Sequence, residues 1–285
     1  MLRPTDEQLA VLEGFERKAF AVCDTVNRVP AFKTAAHAFL KTIGKGWVHY
    51  CTRNILRVFG QEHLDALHPD RGVMIAANHR SFFDMYVITS VLLRRTSWIE
   101  RMYFPVRGEY WYERPDGVAA NAIMSALAMY PPVLRKPEQR VFNQYTVDFL
   151  TEVVDRPGTV VGMHPEGTRN KTDDPYTLLP AQPGIGQIVR AARPIVLPVF
   201  ILGLGNDLPK QVKGNFDGTG EPITLVFGKP LELQRFFDQP PRLRTYMGVA
   251  TYLRDELTKL GQVERAIRQR EGFPDKSRPS SAHAA

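Results

Sequence analysis

The chain has 285 residues, 44 % of them hydrophobic and 24 % charged, the proportions of a folded globular protein, which excludes a disordered, collagen-like or coiled-coil chain. Thirty-seven Lys and Arg against 30 Asp and Glu give a formal charge of +7, a balance that favours an anionic partner without naming it. Taken from the amino end, Leu9, Leu12, Ala19, Phe20, Cys23 and Val26 fall at helical spacing and predict a helix over 6–26, closed off by Pro30. A second apolar stripe from Phe32 to Val58 predicts a helix with a break at Gly44 and Gly46. Between Thr25 and Gln61 stand Arg28, Lys33, Lys41, Lys45, Arg53 and Arg57 and no acid. A basic amphipathic helix carrying Trp and Phe reads as a membrane-surface segment. The alternative is a helix packed on its own domain with a solvated basic face.

From residue 70 the pattern changes to short apolar runs separated by helical ones. The runs 73–77, 102–106, 129–134, 159–163, 195–202 and 223–227 read as strands, and 83–94, 117–127, 137–154, 182–192 and 242–270 as helices. Such alternation, at irregular spacing, predicts an α/β fold with a mixed, largely parallel central sheet flanked by helices. The organisation expected is an N-terminal helical segment over 1–60, an α/β domain over 61–272 and a disordered tail over 273–285, rich in Pro, Ser and small residues. Two cysteines, Cys23 and Cys51, form no Cys-x-x-Cys pair, which points to a reducing, cytoplasmic setting. The least charged stretch, 117–134, is interrupted by Asn121, Ser125 and Pro131-Pro132, so it is not read as the roughly 20-residue apolar span a membrane crossing needs. Any membrane association is then expected to be peripheral.

Open α/β sheets bind ligands beyond the carboxyl ends of their strands. The first run ends in Asn78-His79-Arg80-Ser81-Phe82-Phe83-Asp84. A carboxylate five residues after a histidine, across a strand-to-helix turn, can meet one ring nitrogen and leave the other free to accept a proton. Ser81 to Asp84 equally fits a helix-capping box. The 159–163 run ends in His164-Pro165-Glu166-Gly167-Thr168-Arg169-Asn170, where a planar guanidinium would suit a phosphate and the glycine a close backbone approach. His164 alone reads more readily as structural than as a second titrating group.

Asn-His-x-Ser-x-x-Asp followed by Pro-Glu-Gly-Thr-Arg resembles the glycerolipid acyltransferase superfamily, most closely the 1-acylglycerol-3-phosphate acyltransferases. Tyr130-Pro-Pro-Val-Leu-Arg135 resembles its second block, Phe104-Pro-Val-Arg-Gly-Glu109 a basic residue ahead of a Glu, Ile195-Val-Leu-Pro-Val199 its fourth, and Leu225-Val-Phe-Gly-Lys-Pro230 its closing strand and turn. The resemblance covers about residues 70–230. Where the family usually has Phe before Pro-Glu-Gly and Ser after Thr-Arg, this chain has His164 and Asn170; the second block lacks the family's usual glycine and isoleucine and carries two prolines.

The resemblance implies the glycerolipid acyltransferase fold and transfer of a fatty acyl group from acyl-CoA or acyl carrier protein to lysophosphatidate or a related lysolipid. It implies His79 as base and Asp84 as its orienter, with Arg135, Glu166, Gly167, Thr168 and Arg169 binding substrate. An oxyanion is expected to meet backbone N–H groups at the Gly167 turn or the next helix start. Arg80 and Arg107 are weaker candidates for an acidic substrate. No permanently bound cofactor or metal is expected, since a thioester is already activated. The expected partners are the acyl thioester, a lysolipid or phosphorylated acceptor and an anionic membrane surface, on the cytoplasmic face of the cell membrane. Other acceptors such as glycerol 3-phosphate, a lyso-aminolipid or a hydroxylated metabolite fit the same reading, as does a membrane-binding protein without turnover. Nucleic acid is not expected, for the basic residues lack an aromatic stacking pattern. No Gly-x-Ser-x-Gly elbow, His-Glu-x-x-His site or Walker-type loop points to hydrolysis.

Overall fold

A six-stranded sheet in the order β1-β8-β7-β2-β6-β3 forms the centre of the computed structural model, which describes residues 1–274. The chain enters through α1 (Asp6–Ala10), α2 (Gly14–Arg28), α3 (Pro30–Phe39) and α4 (Lys45–Thr52), then β1 (Leu56–Phe59) and α5 (Gln61–Asp65). Next come β2 (Val73–Ala77), α6 (Asp84–Arg95), β3 (Arg101–Tyr103), β4 (Val106–Arg107), α7 (Gly108–Trp111), α8 (Pro115–Ser125), β5 (Pro132–Val133) and α9 (Val141–Val154). The remainder is β6 (Thr159–Met163), α10 (Pro183–Ala192), β7 (Ile195–Leu202), α11 (Leu208–Asp217), β8 (Ile223–Phe227), α12 (Gln234–Phe237) and α13 (Leu243–Arg270). All neighbours in the sheet run parallel except β7 and β8, so the mixed, largely parallel sheet is as the sequence predicts. β2 and β8 are buried along their whole length, which is why they read as unbroken apolar runs rather than alternating ones. α10 packs between α9 and α13, and α4 packs on α6.

Several expectations need correction. The 6–26 helix is two helices, parted before Gly14, which sits at φ +48°. The 32–58 helix is not broken at Gly44; a π turn over Leu40–Gly44 carries α3 into α4, and the helix stops at Thr52. Leu56–Phe59 is instead β1, paired with β8, so the edge of the sheet comes from within residues 1–60. Gly60 follows at φ +69°, where a Cβ would stand 2.1 Å from the Phe227 carbonyl oxygen. The 102–106 run is interrupted at Pro105 into β3 and β4. Of the 129–134 run only Pro132–Val133 is strand, and it pairs with β4 in a separate two-stranded sheet. Pro131 and Pro132 lack the N–H groups a central strand needs. The tail expected over 273–285 lies outside the described residues from 275 onward.

The N-terminal helices pack on the α/β domain. Phe20 meets Phe142 edge-on at 5.1 Å, the Asp24 carboxylate accepts from the Tyr130 and Tyr145 hydroxyls, and Asn27 donates to the Leu127 carbonyl. The basic stretch is not a solvated face. Lys33, His37, Lys41 and Lys45 repeat every fourth residue along one side of α3 and α4, so they project in one direction. Their side chains reach the carbonyl oxygens of Met102, Ile99, Ser97 and Leu93 respectively. Those oxygens belong to the end of α6 and to the edge strand β3 with the turn before it, backbone groups that would otherwise go unpaired. Of the six predicted surface cations, only Arg53 and Arg57 are exposed.

Candidate active site

β2 and β6 are adjacent and parallel, with Ala76 opposite Met163. The segments that follow them therefore leave the sheet at one end and side by side. Asn78 fixes the first of these: its side-chain amide donates to the Ile201 carbonyl at 2.9 Å and accepts from the Ile201 N–H at 2.8 Å. His79 is held by its backbone on both sides, its N–H donating to Glu166 Oε1 at 3.1 Å and its carbonyl accepting from the Asn170 N–H at 2.7 Å.

The His79 ring meets Asp84 as the sequence predicts, Nδ1 lying 3.1 Å from Oδ2. The same oxygen accepts the N–H groups of Arg80 and Ser81, each at 2.8 Å. Asp84 is the first residue of α6, whose N-terminus favours a negative charge. The capping-box alternative forms in part beside it: Asp84 takes the Ser81 N–H and Ser81 Oγ accepts from the Phe83 N–H at 3.2 Å, while the Ser81 hydroxyl donates to the Gly205 carbonyl. Burial raises the Asp84 carboxyl to about 6, against the N–H groups that favour its charge. Burial, helped by the nearby Arg169 charge, lowers His79 to about 4. The upward shift of Asp84 stops short of neutral pH, so an ionised Asp84 lies beside an uncharged imidazole there, the state a general base requires.

Arg169 and Arg135 stand beside this pair. The Arg169 guanidinium lies over the Phe82 ring, 3.9 Å from its centroid, and Nη1 donates to Asn206 Oδ1 at 2.8 Å. Arg135 Nη2 donates to the Gly167 carbonyl at 2.7 Å. Gly167 is at φ +63°, a conformation that favours glycine. Its N–H donates to the His164 carbonyl at 2.9 Å inside the turn. Thr168 lines the same space. Glu166 also borders it, though only 2 % exposed, and its two oxygens accept the backbone N–H groups of His79 and Leu179. Glu166 thereby braces the two strand-end loops against each other. Arg80 is half-buried, with Nη1 buried and without a hydrogen-bond partner, and burial lowers its pKa. Arg107 pairs with Glu109 at 3.5 Å near the surface.

These side chains open on a cavity of about 1350 Å³, above the range of about 300–1,000 Å³ usual for small-ligand sites. Its lining includes His79, Arg135, Thr168 and Arg169 as well as Met85, Phe104, Val147, Leu150 and Ile188. The lining thus offers both basic, hydrogen-bonding groups and apolar ones. The model of the acyltransferase family matches residues 56–202, just over half of the chain. The chain belongs to the acyltransferase family. Among curated proteins none matches it. Of solved structures, the 1-acyl-sn-glycerophosphate (LPA) acyltransferase PlsC from Thermotoga maritima is similar at 18 % identity, over 89 % of this chain and 86 % of that one, with a TM-score of 0.46.

Two residues of this acyltransferase's site escaped the sequence reading as site residues. Asn206, after β7, accepts from both Arg169 and the Phe82 N–H; only its place after a strand end could have drawn attention to it. His164 lies flat on His79, with ring centroids 3.9 Å apart and planes 7° from parallel. The two histidines stand at the ends of two predicted strands, and that was the available signal. Among the described residues no cluster of three or more His, Cys, Asp or Glu suits a metal ion, and no helix is long and apolar enough to cross a membrane.

Proposed function

We propose that this acyltransferase moves a fatty acyl group from acyl-CoA or acyl carrier protein to a hydroxyl of lysophosphatidate or a related lysolipid, with His79 as general base. The acceptor O–H gives its proton to His79 Nε2 as its oxygen attacks the thioester carbonyl. The C–S bond then breaks, and the thiolate takes the proton back. Asp84 holds the Nδ1–H tautomer and stabilises the imidazolium. Arg135, Thr168 and Arg169 receive the acidic headgroup, the guanidinium forks offering paired donors to phosphate oxygens. The observation that carries this is the His79 to Asp84 contact of 3.1 Å at the wall of a cavity lined by both basic and apolar groups. A thioester is already activated, so the residues need no permanently bound cofactor.

The outer face of the N-terminal helices exposes Val22, Val29, Phe32 and Ile43, which supports peripheral seating on an anionic membrane, on its cytoplasmic face, where a lysolipid would be met. The deciding experiment is release of free thiol from an acyl-CoA, with and without lysophosphatidate, glycerol 3-phosphate or a lyso-aminolipid. Release that depends on lysophosphatidate, with phosphatidate as product, supports the proposal. Acceptor-independent release would make the protein a thioesterase, and no release with either CoA or carrier-protein donors would make it a binder. The Phe32→Ser/Ile43→Ser double variant is expected to co-sediment less with anionic vesicles; unchanged co-sedimentation removes the membrane seat.

A further inference from the structure

His164 is a residue at which the strand-end sequence departs from the resemblance beside the His79 ring, and its placement is specific. β2 and β6 are in register up to Ala76 and Met163, so the residues that follow come off the sheet together. His164 Nδ1 lies 3.0 Å from the Ala77 carbonyl oxygen. A carbonyl only accepts, so Nδ1 carries the hydrogen and the ring orientation is set by the backbone of β2. The ring then lies face to face with His79, 3.9 Å away and 7° from parallel.

The His79 ring is held at its Nδ1 edge, where Asp84 Oδ2 accepts the hydrogen at 3.1 Å. One bond fixes one edge of an imidazole. It leaves the outer torsion loose, because χ2 of histidine is a broad, roughly two-fold torsion rather than a staggered one. A flat contact on the ring face supplies the missing constraint. We propose that His164 is a positioning residue for the base: its ring, stacked on His79 and anchored to Ala77, holds the plane that keeps His79 Nε2 presented to the acceptor hydroxyl. This rests on His79 being the base.

The stack also suits the charge that forms. When His79 takes the proton it becomes a cation against an aromatic face, a favourable contact if that face is uncharged. Burial lowers His164 to about 3, and the neighbouring His79 charge opposes its protonation too. His164 therefore stays neutral while His79 cycles. It donates no proton and accepts none; it sets where the accepting nitrogen is. A reacting group misplaced by about 1 Å costs roughly 10²-fold in rate, which gives the scale of the effect.

The test compares His164→Leu, which fills the space without a flat ring, with His164→Phe, which restores the ring face without the bond to Ala77. His79→Ala is assayed in parallel by thiol release. His164→Leu is expected to lower kcat by about 10- to 100-fold, with KM for donor and acceptor unchanged and a melting temperature lowered no further than that of His164→Phe, which loses the same bond to Ala77 but recovers most of the rate. Undiminished kcat in His164→Leu overturns the proposal, as does a His164→Phe variant no better than His164→Leu. If His79→Ala turns over normally, the base itself is wrong; if His79→Ala is inactive and His164→Leu is not, only the positioning role falls.

Discussion

Two places in the molecule bury titratable side chains against the edges of strands. On α3, Lys33 and His37 are each 6 % exposed; at the ends of β2 and β6 stand His79 and His164. Burial lowers all four, Lys33 to about 7, His37 to about 4, His79 to about 4 and His164 to about 3. A perturbed pKa therefore does not separate them. What separates them is the far side of each ring or ammonium. Lys33 donates to Asn27 Oδ1 and the Met102 carbonyl and covers the Tyr103 ring at 3.8 Å, and His37 reaches the Ile99 carbonyl. These groups are closed in by the protein. His79 and His164 line the cavity. The first cluster holds a helix to a sheet edge, and the second is placed to meet a ligand.

The sharpest way to break this comparison is at His79. His79→Ala is expected to lower kcat by about 10²- to 10⁴-fold, the range of a lost general base, with the melting temperature near wild type. Retained turnover would place the base elsewhere. Asp84→Asn should lose roughly 10²-fold or more, because an amide can donate to Nδ1 and turn the ring to the tautomer with no lone pair at Nε2. A variant with normal kcat would show that tautomer control does not matter here.

The site's frame was legible because it is local. His79 and Asp84 are five residues apart across one turn, and the parallel sheet brought the 159–163 strand end beside them. What stayed hidden depends on contacts between distant segments. That Glu166 braces two loops shows only once its oxygens are found on the N–H groups of His79 and Leu179. Lys33 reads as surface charge because nothing in a helical stripe says that a strand edge will need donors. β1 was read as helix because Ile55 and Val58 continue the apolar stripe of 32–58, and a four-residue strand is too short to show its own period. α11 was not read at all. Its signals are Asp207 as the cap accepting from the Lys210 N–H and Pro209 in the first turn.

A smaller effect on turnover is expected at Arg169, which belongs to the open cluster but has a partner of its own. Arg169→Gln should raise KM for a phosphorylated acceptor about tenfold, the scale of one lost charged hydrogen bond. Its second effect is on pH. The Arg169 charge helps hold His79 below its ordinary value, so removing it makes protonation easier. The acid limb of kcat/KM should then move to higher pH. A loss confined to kcat would exclude headgroup binding, and an unmoved acid limb would exclude the electrostatic link to His79.

The smallest effect on turnover is expected in the closed cluster, where the consequence falls on stability. Lys33→Met keeps the length of the side chain but leaves Asn27 Oδ1 and the Met102 carbonyl without their donor, a cost of about 1–3 kcal/mol. Turnover per folded molecule should be unchanged, because no part of Lys33 reaches the cavity. The pH dependence follows from the buried ammonium. With Lys33 lowered to about 7 in the folded protein and ordinary near 10.5 when unfolded, the unfolded chain binds more protons between those values, so this residue makes stability rise with pH across that window. Lys33→Met removes that rise, and its melting temperature should fall furthest behind the wild type toward pH 9 to 10, before other groups titrate. A Lys33→Met protein that is as stable as wild type but slow would reverse the assignment, and would move the buried lysine from the frame of the enzyme to its chemistry.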